Sequence, residues 1–357
     1  MSAGRKKMSF LKNAVRLKKE FFRAFKLRLM VSKYYARDKE IDYKNINKVL
    51  LLRLDDKIGD MIVASGVIRF FAERNVKVYL LTGPLCADLL AHSEYVEKVF
   101  IYKRRESLKP LQQECFDVVI DFDDVVTYER CRLVHKLSAK HSVGFNKGDL
   151  PIYRKSIELL DPSRHITERH RSVLRLFASE EHGYRYHLPI HPDAVARVDA
   201  LVSSLTYKRL IAINPLTGSK DKDLSADQVQ QLVYHIKRHH PQDLVVLIGM
   251  ESKISAMGIE KIVYVEGSTV STAVEIVRRA DVIVSPDTSI VHMCNAFNKP
   301  LLAIYNKRKL KDTGLVGYKI WAPNYARARQ LVVESEQVSQ LSNENLQEEF
   351  DRLLSSV

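Results

Sequence analysis

The sequence predicts an α/β protein of two doubly wound domains facing each other across a central cleft. Three observations carry this. Short, nearly continuous apolar runs alternate with helix-like segments from residue 47 onward, and the series occurs twice. Between the two series lies "YHLPIHPD" (186–193), with two prolines and few core residues, where a domain boundary is expected. The chain has 357 residues, 46% of them apolar, enough for two domains each with its own core.

Taken in order, the chain opens on a basic arm, residues 1–45. Residues 1–40 hold 13 Lys and Arg against three acids, so most of the net charge of +14 sits there. Within residues 8–35, apolar side chains recur at Phe10, Ala14, Leu17, Phe21 and Phe25, spaced as on one helix face, with mostly Lys and Arg between them. Such a helix suits an anionic membrane surface, where each Lys or Arg contributes on the order of 1 kcal/mol. The same pattern fits a helix packed on the protein's own core. A nucleic-acid arm is a third reading, but no recognised reading module follows, and no nucleic-acid partner is expected.

The first domain, 46–190, starts with "NKVLLLRL" (47–54), whose unbroken apolar run marks a strand buried on both faces. A helix-like segment, 61–74, follows. Then come the strands "VKVYLLT" (76–82), "EKVFIY" (97–102) and "FDVVIDF" (116–122), and "SVGF" (142–145) is expected as the last strand of this half. The second domain, 191–330, carries "RLIAIN" (209–214), "DLVVLIG" (243–249), "KIVYV" (261–265), "DVIVS" (281–285) and "PLLAIY" (300–305). The tail, 331–357, reads from Glu334 onward as an acidic amphipathic helix.

Composition narrows the function classes. Cys86, Cys115, Cys131 and Cys294 form no C-x-x-C pair, which argues against a zinc site or a disulfide framework and for a reducing compartment. No apolar h-region follows the basic start, so no secretory leader is expected, and no run approaches 18 apolar residues.

In doubly wound sheets ligands bind beyond the carboxyl ends of the strands, and three strand ends carry chemistry. The first is "RLDDKIGDMIVASG" (53–66). Gly59 is expected to allow a tight turn that sets Asp60 at a helix N-terminus, where a carboxylate either caps the first amides or points into the cleft. Arg53 and Lys57 either bind an anionic substrate or balance Asp55 and Asp56. The second is "NPLTGSKDKDLS" (214–225). Its Thr217, Gly218, Ser219, Lys220 and Lys222 suit a phosphate group but lack the Walker spacing. The third is "SPDTSIVHMCNAF" (285–297). Amides of Thr288 and Ser289 at a helix start favour a phosphate oxygen, while Asp287 could equally cap the helix and His292 be a satisfied core histidine.

Taken together, "LLRLDDKIGDMIVASGVIRFF", "NPLTGSKDKDLSADQVQQLV" and "SPDTSIVHMCNAFNKPLLAIY" resemble the ADP-heptose:lipopolysaccharide heptosyltransferases, glycosyltransferase family 9, over about residues 47–325. The resemblance implies a GT-B fold, two facing Rossmann-like domains without the G-x-G-x-x-G fingerprint. It implies inverting transfer of heptose to the inner core of lipopolysaccharide with no cofactor and no metal. The implied partners are ADP-heptose in the second domain and an anionic lipid-linked core oligosaccharide in the first, at the inner face of the inner membrane of a Gram-negative bacterium; contact with an anionic membrane surface through residues 8–35 is the expectation from the basic arm itself, which is an addition to the family's usual start. Residue by residue, Asp60 matches the proposed catalytic base. Lys222 matches a lysine at the donor phosphates, and Asp287, Thr288 and His292 match the donor signature. Thr217, Lys220 and Ser289 join the donor set, and Arg53 and Lys57 the acceptor set. The chain departs from the pattern at Ser289 for Gly, Leu224-Ser225 for Trp-Pro, Asn306 for Gly and Asn295 for Ala. A carboxylate at a helix N-terminus is a weaker base than a free one, so the resemblance sets Asp60 a problem that the fold must answer.

Overall fold

The structure is a computed structural model, and it describes residues 18, 21–29, 31, 43, 45–103, 107–159, 161, 163–178, 183–310 and 314–357. Two six-stranded parallel sheets form. The first contains β1 (Lys48–Arg53), β2 (Lys77–Thr82), β3 (Lys98–Ile101), β4 (Val118–Asp121), β5 (His141–Phe145) and β6 (Lys155–Ile157), in the order β3-β2-β1-β4-β5-β6. The second contains β7 (Leu210–Ile213), β8 (Leu244–Leu247), β9 (Val263–Tyr264), β10 (Val282–Pro286), β11 (Leu301–Asn306) and β12 (Ala328–Val333), in the order β12-β11-β10-β7-β8-β9.

The central strands are uninterrupted apolar runs because both of their faces are covered. On β1, Val49 and Leu51 point into one cluster and Leu50 and Leu52 into another. The helices that matter for the cleft are α1 (Ile58–Ala72) and α2 (Pro84–Leu89), then α3 (Lys109–Gln113), α4 (Tyr128–Leu137) and α5 (Ile166–Phe177) on the first sheet. On the second they are α6 (Pro192–Val202), α7 (Ala226–His239), α8 (Glu251–Ala256), α9 (Val270–Arg279), α10 (Ser289–Ala296), the short α11 (Gly317–Ile320) and α12 (Asn343–Leu354). One apolar cluster runs through both halves, joining Ile62 and Val67 of α1 to Val198, Leu210 and Val291. The crossover segment is bonded to α1: Tyr184 Oη donates to the Val63 carbonyl at 2.6 Å, and the His187 amide to Ser65 Oγ at 2.8 Å. The two halves are thus held face to face by packing and by hydrogen bonds.

Several readings of the sequence need correction. "SVGF" is not the last strand of its half, because β6 pairs beyond it. β12 was not read as a strand at all. The tail is not helical from Glu334: it passes through a single 3₁₀ turn, Val338–Gln340, and α12 begins only at Asn343, its Leu346 and Phe350 buried in the second domain's core. Of the basic arm, Phe10, Ala14 and Leu17 lie outside the described residues. Residues 21–29 are helical, and Leu27 packs against the first domain. Phe21, Phe22, Phe25 and Leu29 are exposed on the other side.

A buried ionic cluster closes the carboxyl end of β4. Asp121 accepts from Arg130 Nε at 2.8 Å and from Tyr153 Oη at 2.6 Å, and Lys147 Nζ lies 3.2 Å away. Lys147 Nζ also donates to the carbonyls of Asp123 (2.6 Å) and Val125 (3.2 Å), which fixes the loop after β4. Burial by itself would raise the Asp121 pKa, but the Arg130 and Lys147 charges prevail and hold it below the usual carboxylate range. A lowered folded pKa means stability that is complete above the unfolded value near 3.8 and is lost as pH falls below it. Replacing Asp121 by Asn leaves the buried Lys147 without its carboxylate and Arg130 with only Asp123, 3.9 Å away, and should cost about 3–5 kcal/mol. Tyr153→Phe removes one hydrogen bond and should cost about 1 kcal/mol. Urea unfolding midpoints of the two variants check the difference, and equal losses would show that the cluster's charges do not matter to stability.

Candidate functional site

The lobes enclose a cavity of about 1010 Å³, lined by Arg53, Asp60, Phe122, Arg130, His165 and Trp321 among others. Its floor is built where β1 ends. Asp56 adopts the left-handed conformation (φ 54°), and its carboxylate accepts from the amides of Leu85 (3.2 Å) and Cys86 (2.9 Å) at the start of α2. The turn after β1 is therefore made by Asp56. Gly59, read from the sequence as the turn residue, is instead the second residue of α1. A Cβ placed on it would lie 3.3 Å from His292 Cδ2 and 3.6 Å from Ser289 Cα, so a larger residue would press on the buried His292 ring and glycine eases the close approach of α10.

Asp60 sits in the first turn of α1 and caps nothing. Its carboxylate takes the Arg53 guanidinium, and Arg53 Nε is also 3.0 Å from Asp55. Lys57 Nζ is 4.0 Å from the same Asp55. Burial raises the Asp60 pKa above the ordinary carboxylate value, and the Arg53 charge opposes this only in part. The helix-terminus argument from the sequence predicted a weakened base. Burial outweighs it and makes Asp60 a stronger one.

Across the cleft, β10 ends at Pro286 and α10 begins at Ser289. Thr288 is the cap: its hydroxyl accepts from the Ile290 amide at 3.2 Å. Asp287, offered as a cap by the sequence, instead accepts from Lys222 Nζ at 2.5 Å. Lys222 is delivered by a 3₁₀ turn, Lys220–Lys222, and Asn306 braces that turn by donating to the Asp221 carbonyl at 3.1 Å. His292 is buried between Tyr186 and Trp321 with no hydrogen-bond partner at Nδ1, and burial lowers its pKa to about 3, so it is neutral.

The structure thus brings Lys222, Asp287, Thr288, Ser289 and His292 together around the start of α10, against which Gly59 packs; of the set, Asp60 lines the cavity and these five do not. Thr217 holds its own loop, accepting from the Ser219 amide at 2.9 Å and donating to the Ser219 carbonyl at 2.7 Å, and Lys220 is exposed. Asn214, not singled out from the sequence, links the two donor-side loops. Its side-chain oxygen accepts from Ser285 Oγ (3.0 Å) and Thr288 Oγ1 (3.1 Å), leaving its nitrogen to donate to the Leu216 carbonyl at 3.1 Å. The signal was an amide side chain directly after an apolar strand, where no turn required it. The departures from the family pattern also gain structural reasons. Asn295 donates to the Pro323 carbonyl at 2.8 Å, Ser225 forms a capping box with Gln228, and Leu224 is buried in the core. Among the described residues no three His, Cys, Asp or Glu side chains converge as metal ligands. A carboxyl whose proton affinity is raised by burial is chemically able to take a proton from a hydroxyl.

The sequence pattern of the family described as "Glycosyltransferase family 9 (heptosyltransferase)" matches residues 104–348. The chain is 24% identical over 325 residues to an Escherichia coli K12 protein named "Putative lipopolysaccharide heptosyltransferase 4", covering 87% of this chain and 88% of that one. In fold it is similar to a family 9 glycosyl transferase from Veillonella parvula, with a TM-score of 0.73 and 15% identity over 89% of this chain and 99% of that one. It is also similar to the E. coli ADP-heptose heptosyltransferase II, with a TM-score of 0.70 and 16% identity over 86% and 98%. These are GT-B proteins, and the two facing sheets here are the same architecture.

The pairing of Asp60 with Arg53 has a direct consequence. The Asp60 carboxyl should titrate above the ordinary carboxylate range, and Arg53→Gln should move its midpoint higher still, because the opposing positive charge is gone. Carboxyl-carbon NMR titration of both proteins checks this. An unmoved midpoint in the variant would mean that Arg53 does not set the proton affinity of Asp60.

Proposed function

This chain belongs to glycosyltransferase family 9, the heptosyltransferases, and we propose that it moves heptose from ADP-heptose to the core oligosaccharide of a lipid-linked lipopolysaccharide acceptor, with inversion and without a metal ion. The single observation that supports this most is the packing of Gly59, the neighbour of Asp60, against the start of α10. A Cβ on Gly59 would lie 3.6 Å from Ser289 Cα, so the helix that carries Asp60 meets the helix end next to the Lys222–Asp287 pair, where in this reading a sugar diphosphate would be held.

In this reading the acceptor hydroxyl lies against Asp60, which takes its proton as the oxygen attacks the anomeric carbon from the face opposite the diphosphate. Inversion needs one carboxylate only, and general-base assistance is typically worth 10²–10⁴-fold. Negative charge grows on the leaving phosphate. In this reading the Ser289 amide, the positive helix end and Lys222 stabilise it. Lys222 exchanges its bond to Asp287 for phosphate oxygens, and Asp287 is released toward the sugar hydroxyls. Arg53 serves here as the partner that holds Asp60 and tunes it, rather than as a free anion receptor.

The acceptor is amphiphilic, and the helix at 21–29 supports a peripheral position at an anionic membrane surface. Phe21, Phe22, Phe25 and Leu29 are exposed on a segment that also carries Arg23, Lys26 and Arg28. The proposed location is the inner face of the inner membrane.

Asp60→Asn should lower turnover by roughly 10²–10⁴-fold, the range for loss of a general base, with ADP affinity kept. Lys222→Ala should do the reverse and weaken ADP binding. Rates with ADP-heptose and a delipidated acceptor, set beside calorimetry with ADP, separate the two, and full turnover in Asp60→Asn would remove it as the base. Deleting residues 1–35 should spare transfer to soluble acceptor but reduce cosedimentation with anionic vesicles, and the binding of the whole protein should weaken as salt shortens the Debye length below about 8 Å. Equal cosedimentation of both forms would put the arm on its own domain.

A further inference from the structure

The charges lining the cleft are arranged in a way that the family reading does not anticipate. Among the described residues, six basic and seven acidic side chains line the cavity. Each basic one has an acid beside it. Arg53 is held by Asp55 and Asp60, and Lys57 is 4.0 Å from Asp55. Arg130 is taken by Asp121 at 2.8 Å and lies 3.9 Å from Asp123. Arg169 is bonded to Asp124, with its guanidinium over the Phe145 ring. Arg164 is 3.3 Å from Asp161, and Arg175 is 3.3 Å from Glu168. The large positive charge of the chain lies elsewhere, mostly in residues 1–40.

We propose that the acceptor sugar entering this half of the cleft is electrically neutral, a hexose or heptose ring without phosphate or carboxylate at the docking position. This rests on the reading of the Asp60 side as the acceptor site. A phosphate monoester carries about −1.5 to −2 charges at neutral pH. To seat one, a cation that already faces a carboxylate must take it, so each cation gained brings that carboxylate close to the phosphate or breaks the pair. Sugar hydroxyls both donate and accept. They bridge a guanidinium and its carboxylate together without unbalancing either. The cavity also offers apolar surface for the C–H face of a ring, from the half-buried Leu310, Leu315 and Trp321 of the second lobe. The acceptor's anionic groups are then met outside the pocket, by the basic arm.

Trp321 is the only tryptophan in the chain and lines this cavity, so its fluorescence reports on it. The test titrates the full-length protein with a methyl heptoside and with the same heptoside carrying a phosphate, at low and at physiological salt. The neutral glycoside should perturb the emission with a salt-independent midpoint, and the phosphorylated one should bind at least roughly tenfold more weakly, as one uncompensated charge contact requires. In Asp124→Asn, which frees Arg169, the phosphorylated probe should recover about that factor at low salt and lose it at high salt. Tighter, salt-sensitive binding of the phosphorylated probe to the unaltered protein would overturn the proposal, and so would transfer from ADP-heptose only to phosphorylated glycans, which would leave the proposed function standing. If the neutral glycoside binds as expected and no glycan accepts sugar from ADP-heptose, the proposed function fails and the charge-balanced pocket remains.

Discussion

The site depends on one contact, the approach of α1 to the start of α10 at Gly59. A Cβ at position 59 would lie 3.3 Å from His292 Cδ2, tighter than an ordinary contact, and 3.6 Å from Ser289 Cα, so glycine eases the approach of the helix that carries Asp60 to the start of α10. The apolar cluster common to both halves, and the bonds from the crossover segment to α1, keep the lobes in that relation. An interior close-packed in this way resists small adjustments, so a displaced α1 would carry Asp60 away from the donor loops as a unit. Ser289 faces the same spot: its Cα and Cβ lie 3.6 and 3.9 Å from where a Cβ of residue 59 would stand.

The second constraint is charge pairing. Asp121 answers Arg130 and Lys147, Asp60 answers Arg53, and Asp287 answers Lys222. Each pair sits at or near the carboxyl end of a strand, where a partly buried charge without a partner would cost several kcal/mol. The pairs differ in what they can do. Asp121 has no access to the cleft and fixes the loop after β4. Asp60 and Lys222 are partly exposed, and so can change partners when a substrate enters.

How much of this was legible in the sequence follows from the same physics. Central strands of a parallel sheet are apolar on both faces, so β1, β4, β7 and β10 stood out as unbroken runs. β6, with only "KSI", and β12, "ARQLVV", lie at sheet edges where half the residues meet solvent, and neither resembles a buried strand. The donor loops were legible as polar clusters after apolar runs, but their internal wiring was not. Whether Asp287 or Thr288 caps α10 depends on Lys222, which is 65 residues away in sequence. Gly59 was noticed for a good reason and given the wrong one. Close approach and a left-handed turn both select glycine, and only the second is local; here the turn belongs to Asp56.

The basicity of Asp60 shows why a motif alone misjudges chemistry. Position in the first helical turn argues for a lowered pKa, an effect of about 0.3–1 kcal/mol at an exposed terminus. Desolvation in a closed cleft acts in the other direction, and it prevails here even against the Arg53 charge. The guanidinium therefore has two effects. It draws the proton affinity of the carboxyl back toward the ordinary range, and it fixes the carboxylate's direction. Asp55 and Lys57 act on the same group with opposite signs, Asp55 raising its proton affinity and Lys57 lowering it. Burial and the charges around the end of β1, rather than the position of Asp60 in its helix, therefore set how readily this carboxyl holds a proton.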